Sequence, residues 1–414
     1  MSDAPKVKST ATPDALATYT PLPKRTRHGV GLCFSGGGFR ATLFHLGATR
    51  RLNELGVLGR VRTITSVSGG SVTAAHLAAR VPWPLHTPMS RAHWEERVAA
   101  PLRAFTKHNL RTPALAKRFL PWNWFRASTA VEAMAASFRT KLTPLTLVQL
   151  PEDPAFVFCA TDMAFGVDWV FERTRMGDYL AGYIQPPPPH WAVGTAVAAS
   201  ACFPPVFNPL PVRFAPGDYA GGDAPAGPQR DAALSDLRLT DGGDYDNLGL
   251  EPVWKDHAYV LSSDGGSPFT FGPDQSLFSR IQRYVSIVEN QARALRKRWL
   301  ISSFITNVME GTYWGVASAR SSYDPDDRVG YSKALATEVI DTIRTDFDAF
   351  SEAEAAVLEN HGYLLADIAI QRHVRHLLPA TVPPLAVPHP AWMDEDRVRR
   401  ALKGSARRTL LGRW

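Results

Sequence analysis

Cysteine is scarce: the 414 residues include only three, Cys33, Cys159 and Cys202, far apart and each in an apolar setting. They form no C-x-x-C pair and no disulfide framework, which fits a reduced, cytoplasmic setting. Long apolar runs are lacking too. Nothing approaches the ~18 uninterrupted apolar residues of a membrane span, and the polar start MSDAPKVKSTATPDALATY has no apolar signal segment. The expectation is a soluble or at most peripheral protein. No internal repeat is visible, and a hydrophobic content of 45% is ordinary for a globular chain.

Charge is modestly one-sided, with 46 Lys and Arg against 39 Asp and Glu, a formal +7. That balance suits an anionic surface, phospholipid or nucleic acid, without choosing between them. The excess concentrates in RALRKRW (293–299) and RVRRALKGSARRTLLGRW (397–414). Each is either a solvated helix face or a membrane contact. KRFLPWNWFRAS (117–128) mixes cations with Trp and Phe, and either packs on the body or sits at a membrane interface. A nucleic-acid partner would rest on charge alone and is not expected.

What the chain does have is alternation. GVGLCF (29–34) reads as a buried strand, and FRATLFHLGATRRLNELG as a helix in which Leu43, Leu46, Leu52 and Leu55 share a face until Gly56 stops it. VRTITSV returns to strand and GSVTAAHLAARV to helix. This β-α-β-α order predicts a parallel sheet covered by helices. AFVFCATDM and VDWVFER read as two strands around a turn, AVGTAVAASACFPPVF as a small-residue helix broken at Pro204 and Pro205, and HAYVLSSDGG as a further strand. The expected division is a flexible arm over 1–27, a core over 28–275, and a mainly helical extension with a basic tail over 276–414.

SGGGFRA places Gly36, Gly37 and Gly38 between a strand and a helix start, where backbone amides and the helix dipole favour negative charge. Gly36, Gly38 and Ala41 fit G-x-G-x-x-A, but a dinucleotide site expects an acid near the end of the next strand, which here reads TITSVS. No Gly-Lys-Ser/Thr closes a phosphate loop. An oxyanion hole is the third reading, and ITSVSGGSVTAA supplies what it requires. Ser68 stands at a strand-to-helix corner with Ser66 two residues before it and Gly70 two after, the small neighbours an exposed nucleophile needs. Ser71 would sit inside the helix.

A serine needs a base. LTDGGDYDNLGL ends a strand-like run at Asp241, and the two following glycines free it from crowding. A second Asp-Gly-Gly occurs at Asp264. A Ser–His–Asp arrangement could draw on His361, His373 or His376, and His45 follows the glycine loop on a helix, where packing is its default role.

Together and in this order, SGGGFR, SVSGG and DGG resemble the patatin-like phospholipase family. ASACFPPVF (199–207) is similar to its proline-bearing block, and TDGGDYDNLGLEP to the run around its aspartate; the likeness covers about 29–265. It implies a three-layer α/β/α fold with a mostly parallel central sheet, here with a C-terminal helical extension. It implies a carboxylic ester hydrolase, in which Ser68 attacks, Asp241 is the base, the amides of Gly36, Gly37 and Gly38 form the oxyanion hole, and Arg40 holds that loop. Ser66 replaces the first elbow glycine; Gly70 keeps the second. No metal or cofactor is implied, and the substrate is a phospholipid, lysophospholipid or other acyl lipid, met at a membrane surface. The contrasting expectation is a catalytically idle or regulated protein that binds lipid or a partner.

Overall fold

Short runs rich in Val, Ile, Phe and Thr become strands here because the sheet is covered on both faces. The computed structural model describes residues 28–118, 120, 123, 128–204, 207–269, 277–409 and 411–414. The expected arm over 1–27, most of the aromatic and basic stretch at 117–128, and the joint placed at 275/276 lie outside the described residues. In chain order the strands are β1 (Val30–Phe34), β2 (Val61–Val67), β3 (Ala155–Asp162), β4 (Asp168–Phe171), β5 (Met176–Asp178), β6 (Gly182–Ile184), β7 (Leu210–Val212), β8 (Leu237–Asp241), β9 (Tyr259–Asp264) and β10 (Glu310–Gly315). They form one ten-stranded sheet in the order β10-β9-β1-β2-β3-β4-β5-β6, with β8 beside β3 and β7 beside β8.

From β10 to β3 every neighbour is parallel, and beyond β3 the pairing turns antiparallel. The central sheet is thus the mostly parallel one expected, with an antiparallel wing. One detail of register positions the site. β2 follows one edge of β3 as far as Val67↔Cys159, and β8 takes over at Ala160↔Asp241. The end of β2 and the end of β8 therefore meet along a single strand.

Helices α1 (Gly38–Glu54), α2 (Gly69–Arg80), α3 (Val193–Ser200), α4 (Gly243–Asp246), α5 (Leu277–Ile305) and α6 (Glu352–His373) complete the layers used below. Leu32, Phe34 and Phe158 enter the main core with α1, α2, α3 and α6. Cys33 and Val260 turn to the other face, where Leu248, Leu250 and Leu300 form a second core under α5. Among the described residues no helix is long and apolar enough to cross a membrane.

The one-sided face expected for α1 is not what the fold uses: every residue from Gly38 to Asn53 is buried. The cause is α6, which crosses α1 in backbone contact. A Cβ on Gly47 would stand 1.8 Å from the Glu359 carbonyl oxygen, and one on Gly362 would stand 1.9 Å from that of Phe44. Arg51, buried on α1, reaches Asp367 of α6 with Nε at 2.8 Å. Residues beyond 276 thus do more than pack on a core: they supply β10 at the sheet edge and the helix that encloses α1.

Reciprocal glycine contact makes a sharp prediction. Gly47→Ala and Gly362→Ala each force two backbones apart, and each should cost about 1–3 kcal/mol or more in urea unfolding. Losses below about 0.5 kcal/mol, the range of ordinary surface changes, would contradict the contact.

Candidate active site

Ser68 occupies the corner between β2 and α2 with φ 51° and ψ −117°, one of two non-glycine residues with positive φ among those described. Such a conformation is strained and persists only where the surroundings hold it. They do. The Ser68 amide donates to Ser200 Oγ at 2.9 Å, and that hydroxyl donates in turn to the Cys159 carbonyl at 2.6 Å. A Cβ on Gly69 would lie 2.0 Å from the Gly38 carbonyl oxygen, and one on Gly70 would lie 2.6 Å from that of Phe34. Ser66 fits because its hydroxyl has partners: it donates to the Val157 carbonyl at 3.2 Å and accepts from Ser71 Oγ at 3.1 Å. Ser71 is therefore part of a buried hydroxyl cluster behind the corner.

The glycine loop lies against the Ser68 side chain, since a Cβ on Gly36 would stand 3.2 Å from Ser68 Cβ. Gly37 and Gly38 have φ of +140° and +56°, which side chains rarely adopt. The three amides are not equivalent. That of Gly36 donates to the Asn247 carbonyl at 3.0 Å and is already engaged. Among the described residues those of Gly37 and Gly38 meet no acceptor. The loop's expected donors narrow from three to two, with Gly36 holding the loop to the aspartate segment.

Asp241 ends β8 beside Ser68 and is 3% exposed, against 7% for the serine. Its Oδ1 accepts the Gly243 amide at 2.8 Å, and its backbone carbonyl accepts from Thr161 Oγ1 at 2.8 Å. Burial, and then the nearby charge of Asp244, push the carboxyl well above the usual range; the Gly243 amide and the facing Ser68 hydroxyl pull against that rise. When ionised, a poorly solvated carboxylate facing a serine hydroxyl can take its proton.

Among the described residues no histidine shares this place. His361 bonds the Val316 carbonyl through Nε2 at 2.8 Å. His45 lies between Ser263 Oγ (2.7 Å) and the Ser35 carbonyl (3.0 Å). Burial lowers both to about 4, so both are neutral near pH 7. His373 and His376 rest on the rings of Tyr323 and Tyr259. The triad alternative is not assembled. Asp264, in the second Asp-Gly-Gly, accepts Tyr313 OH at 2.6 Å, and though burial alone would raise it, Arg293 and Lys297 hold it below the usual range.

Arg40 is fully buried and spans the site's back wall. Nε and Nη2 donate to the Gly265 carbonyl at 3.1 and 2.9 Å, and Nη1 donates to the carbonyls of Ile343 at 3.0 Å and Asp341. Gly265 in turn stands where a Gly37 Cβ would be, 2.6 Å from its carbonyl oxygen. Arg40 thus supports the loop through Gly265, and the far C-terminal carbonyls complete its shell. Phe39 donates its amide to the Asp346 carbonyl at 2.9 Å. Sequence reasoning missed Ser200, Asn247 and residues 341–346. The first two stand inside the quoted blocks ASACFPPVF and LTDGGDYDNLGL; the third carried no local signal.

A family model described as Patatin-like phospholipase matches residues 32–254. No curated protein matches the chain. Among solved structures, human GIVD cytosolic phospholipase A2 is similar at 13% identity with a TM-score of 0.41, covering 92% of this chain and 60% of that one. The same human protein in complex with methyl gamma-linolenyl fluorophosphonate gives 13% identity and 0.44, over 92% and 59%. VipD from Legionella pneumophila gives 14% and 0.33, over 85% of this chain and 68% of that one. The chain spans about three fifths of the human protein's length.

Arg40→Met removes the donors to three buried carbonyls. At about 1–3 kcal/mol for each unsatisfied group, global stability should fall by roughly 3 kcal/mol or more, measured by urea unfolding. Arg40→Lys, which keeps the charge but not the fork, should recover only part of it. Full recovery by lysine would show that charge, not geometry, is what the site uses.

Proposed function

The chain belongs to the patatin-like phospholipase family, and from that premise we propose that it is a serine acyl hydrolase cleaving acyl esters of phospholipids or lysophospholipids with a Ser68–Asp241 dyad. The observation that carries the reading is the Asp241 carboxyl facing the Ser68 hydroxyl at a strained corner, with every candidate histidine engaged elsewhere.

Attack by Ser68 Oγ on the acyl carbon forms one C–O bond while its proton passes to Asp241. The carbonyl oxygen becomes an oxyanion that accepts from the Gly37 and Gly38 amides; one such donor typically contributes about 10²–10³ in rate. Collapse breaks the ester C–O bond, and the leaving alkoxide takes the proton back from Asp241. Water then attacks the acyl-enzyme, giving its proton to Asp241, and the departing Ser68 oxygen recovers it, releasing a fatty acid. Placing the base beside the nucleophile before substrate arrives is worth about 10²–10⁴.

Ser68→Ala and Asp241→Asn should each abolish release of fatty acid from mixed phospholipid vesicles, read by mass spectrometry, and a fluorophosphonate should label Ser68 alone. Linkage separates a dead site from a misfolded protein. Because the folded-state pKa of Asp241 is raised, its ionised form is disfavoured in the fold, and stability is lost as pH rises through that pKa. Asp241→Asn should therefore be folded, and gain stability over wild type more at pH 8 than at pH 5. Retained hydrolysis in folded Asp241→Asn would remove the dyad.

The acid limb of kcat/KM should lie above the ordinary carboxylate range, since activity needs Asp241 ionised. Asp244, held by Thr240 Oγ1 at 2.9 Å, adds to that rise through its charge. Asp244→Asn should move the limb to lower pH; a limb that stays or moves up would contradict the assignment of Asp241 as base.

A further inference from the structure

Helix α5 is inside out. An ordinary surface helix buries its apolar stripe and presents its charges to water. Here most of the described charges face the protein. Arg296 pairs with Asp246 at 3.4 Å and lies over the Tyr245 ring at 4.7 Å. Lys297 Nζ lies over the Tyr313 ring at 4.6 Å, and Arg293 and Lys297 hold Asp264 ionised. Glu289, pushed up to about 7 by burial and then by Asp244, faces the same acidic turn. The cationic run at 293–299 is therefore largely spent inside the molecule and is not a solvated face.

The outer face is largely apolar, interrupted by exposed Gln291. Tyr284, Val288 and Leu295 are 61%, 69% and 60% exposed, and fall on one line at helical spacing, with exposed Val285 and Ile287 beside it. The line from Tyr284 to Leu295 runs roughly 16 Å at 1.5 Å per residue. Exposed Arg298 continues it beyond Leu295. Trp299 against Trp254, with centroids at 5.1 Å, and Leu300 in the second core anchor the helix from behind. Exposed apolar rows of this kind mark surfaces that meet an apolar partner.

We propose that this stripe docks the protein on a phospholipid bilayer, with α5 lying flat at the interface. The choice of a lipid occupant rests on the hydrolase reading above. An apolar row ended by exposed Arg298 suits acyl chains rimmed by anionic headgroups. The surface is also continuous with the chemistry, because the inner face of α5 grips Tyr245 and Asp246, a few residues beyond Asp241.

The test uses the full chain as wild type, Val288→Ser/Leu295→Ser and Val288→Glu/Leu295→Glu, sedimented with vesicles of phosphatidylcholine alone or with phosphatidylglycerol. The Glu pair should lose vesicle partition about tenfold or more and the Ser pair less. The ratio of vesicle-lipid hydrolysis to hydrolysis of a dissolved short-chain ester should fall with it, at unchanged Tm. If the Glu pair does not fold, the Ser pair carries the same comparison. Unchanged partition in folded variants overturns the proposal. A wild-type dimer that ignores vesicles and is split by either pair also overturns it, and gives the stripe to a second copy. Stripe-dependent vesicle binding by a protein that hydrolyses neither substrate leaves the docking surface standing and removes the hydrolase reading.

Discussion

Two helices begin in backbone contact, and the candidate site depends on that closeness. The Gly38 carbonyl occupies the place a Gly69 side chain would need, 2.0 Å from its Cβ position, so the glycine loop and the Ser68 corner are built against each other. The cause lies in the sheet. β1 and β2 are parallel neighbours in register through Phe34↔Ser66, so both chains leave the sheet at the same edge and level, and both turn into helices there. Ligand sites gather at this end of parallel strands for that reason. Glycine at 37, 38, 69 and 70 is what lets the two turns interpenetrate.

Chemistry and stability pull against each other at this spot. Burial makes Asp241 a reluctant anion, and Ser68 is held at positive φ. Both features raise the energy of the folded state at this spot. The opposing terms sit around the site: the Ser200 hydroxyl under the Ser68 amide, the Arg40 fork on the carbonyls of Gly265, Asp341 and Ile343, and the tight crossing of α1 with α6. The far C-terminal residues are structural partners of the site through Arg40 and Phe39.

α5 connects that interior to the outside. Its inner charges are consumed by Asp246 and Asp264, so little of the cationic run becomes cationic surface, and its apolar residues are displaced outward. The basic tail behaves similarly in part. Arg399 pairs with Glu338 at 3.0 Å, Arg413 with Glu354 at 3.0 Å, and Arg408 bonds the Thr345 carbonyl at 3.0 Å. Net charge read from composition therefore overstates the charge available for adsorption.

Local chemistry determined much of this in the sequence itself. A strand that ends in small residues and opens a helix has few conformations, so the corner at Ser68, the glycine loop and the turn after Asp241 were legible from glycine placement and period alone, as were β1, β2, β3 and the helices between them. What needed the tertiary structure was every property set by residues far apart in the chain. Only the shared edge of β3 brings Asp241 to Ser68, and only Asn247 decides that Gly36 spends its amide on the loop. The full burial of α1 follows from α6, some 300 residues away, and the inversion of α5 follows from carboxylates on α4 and at the end of β9. Period and propensity act over a few residues, whereas desolvation and ion pairing act across whatever the fold places in contact.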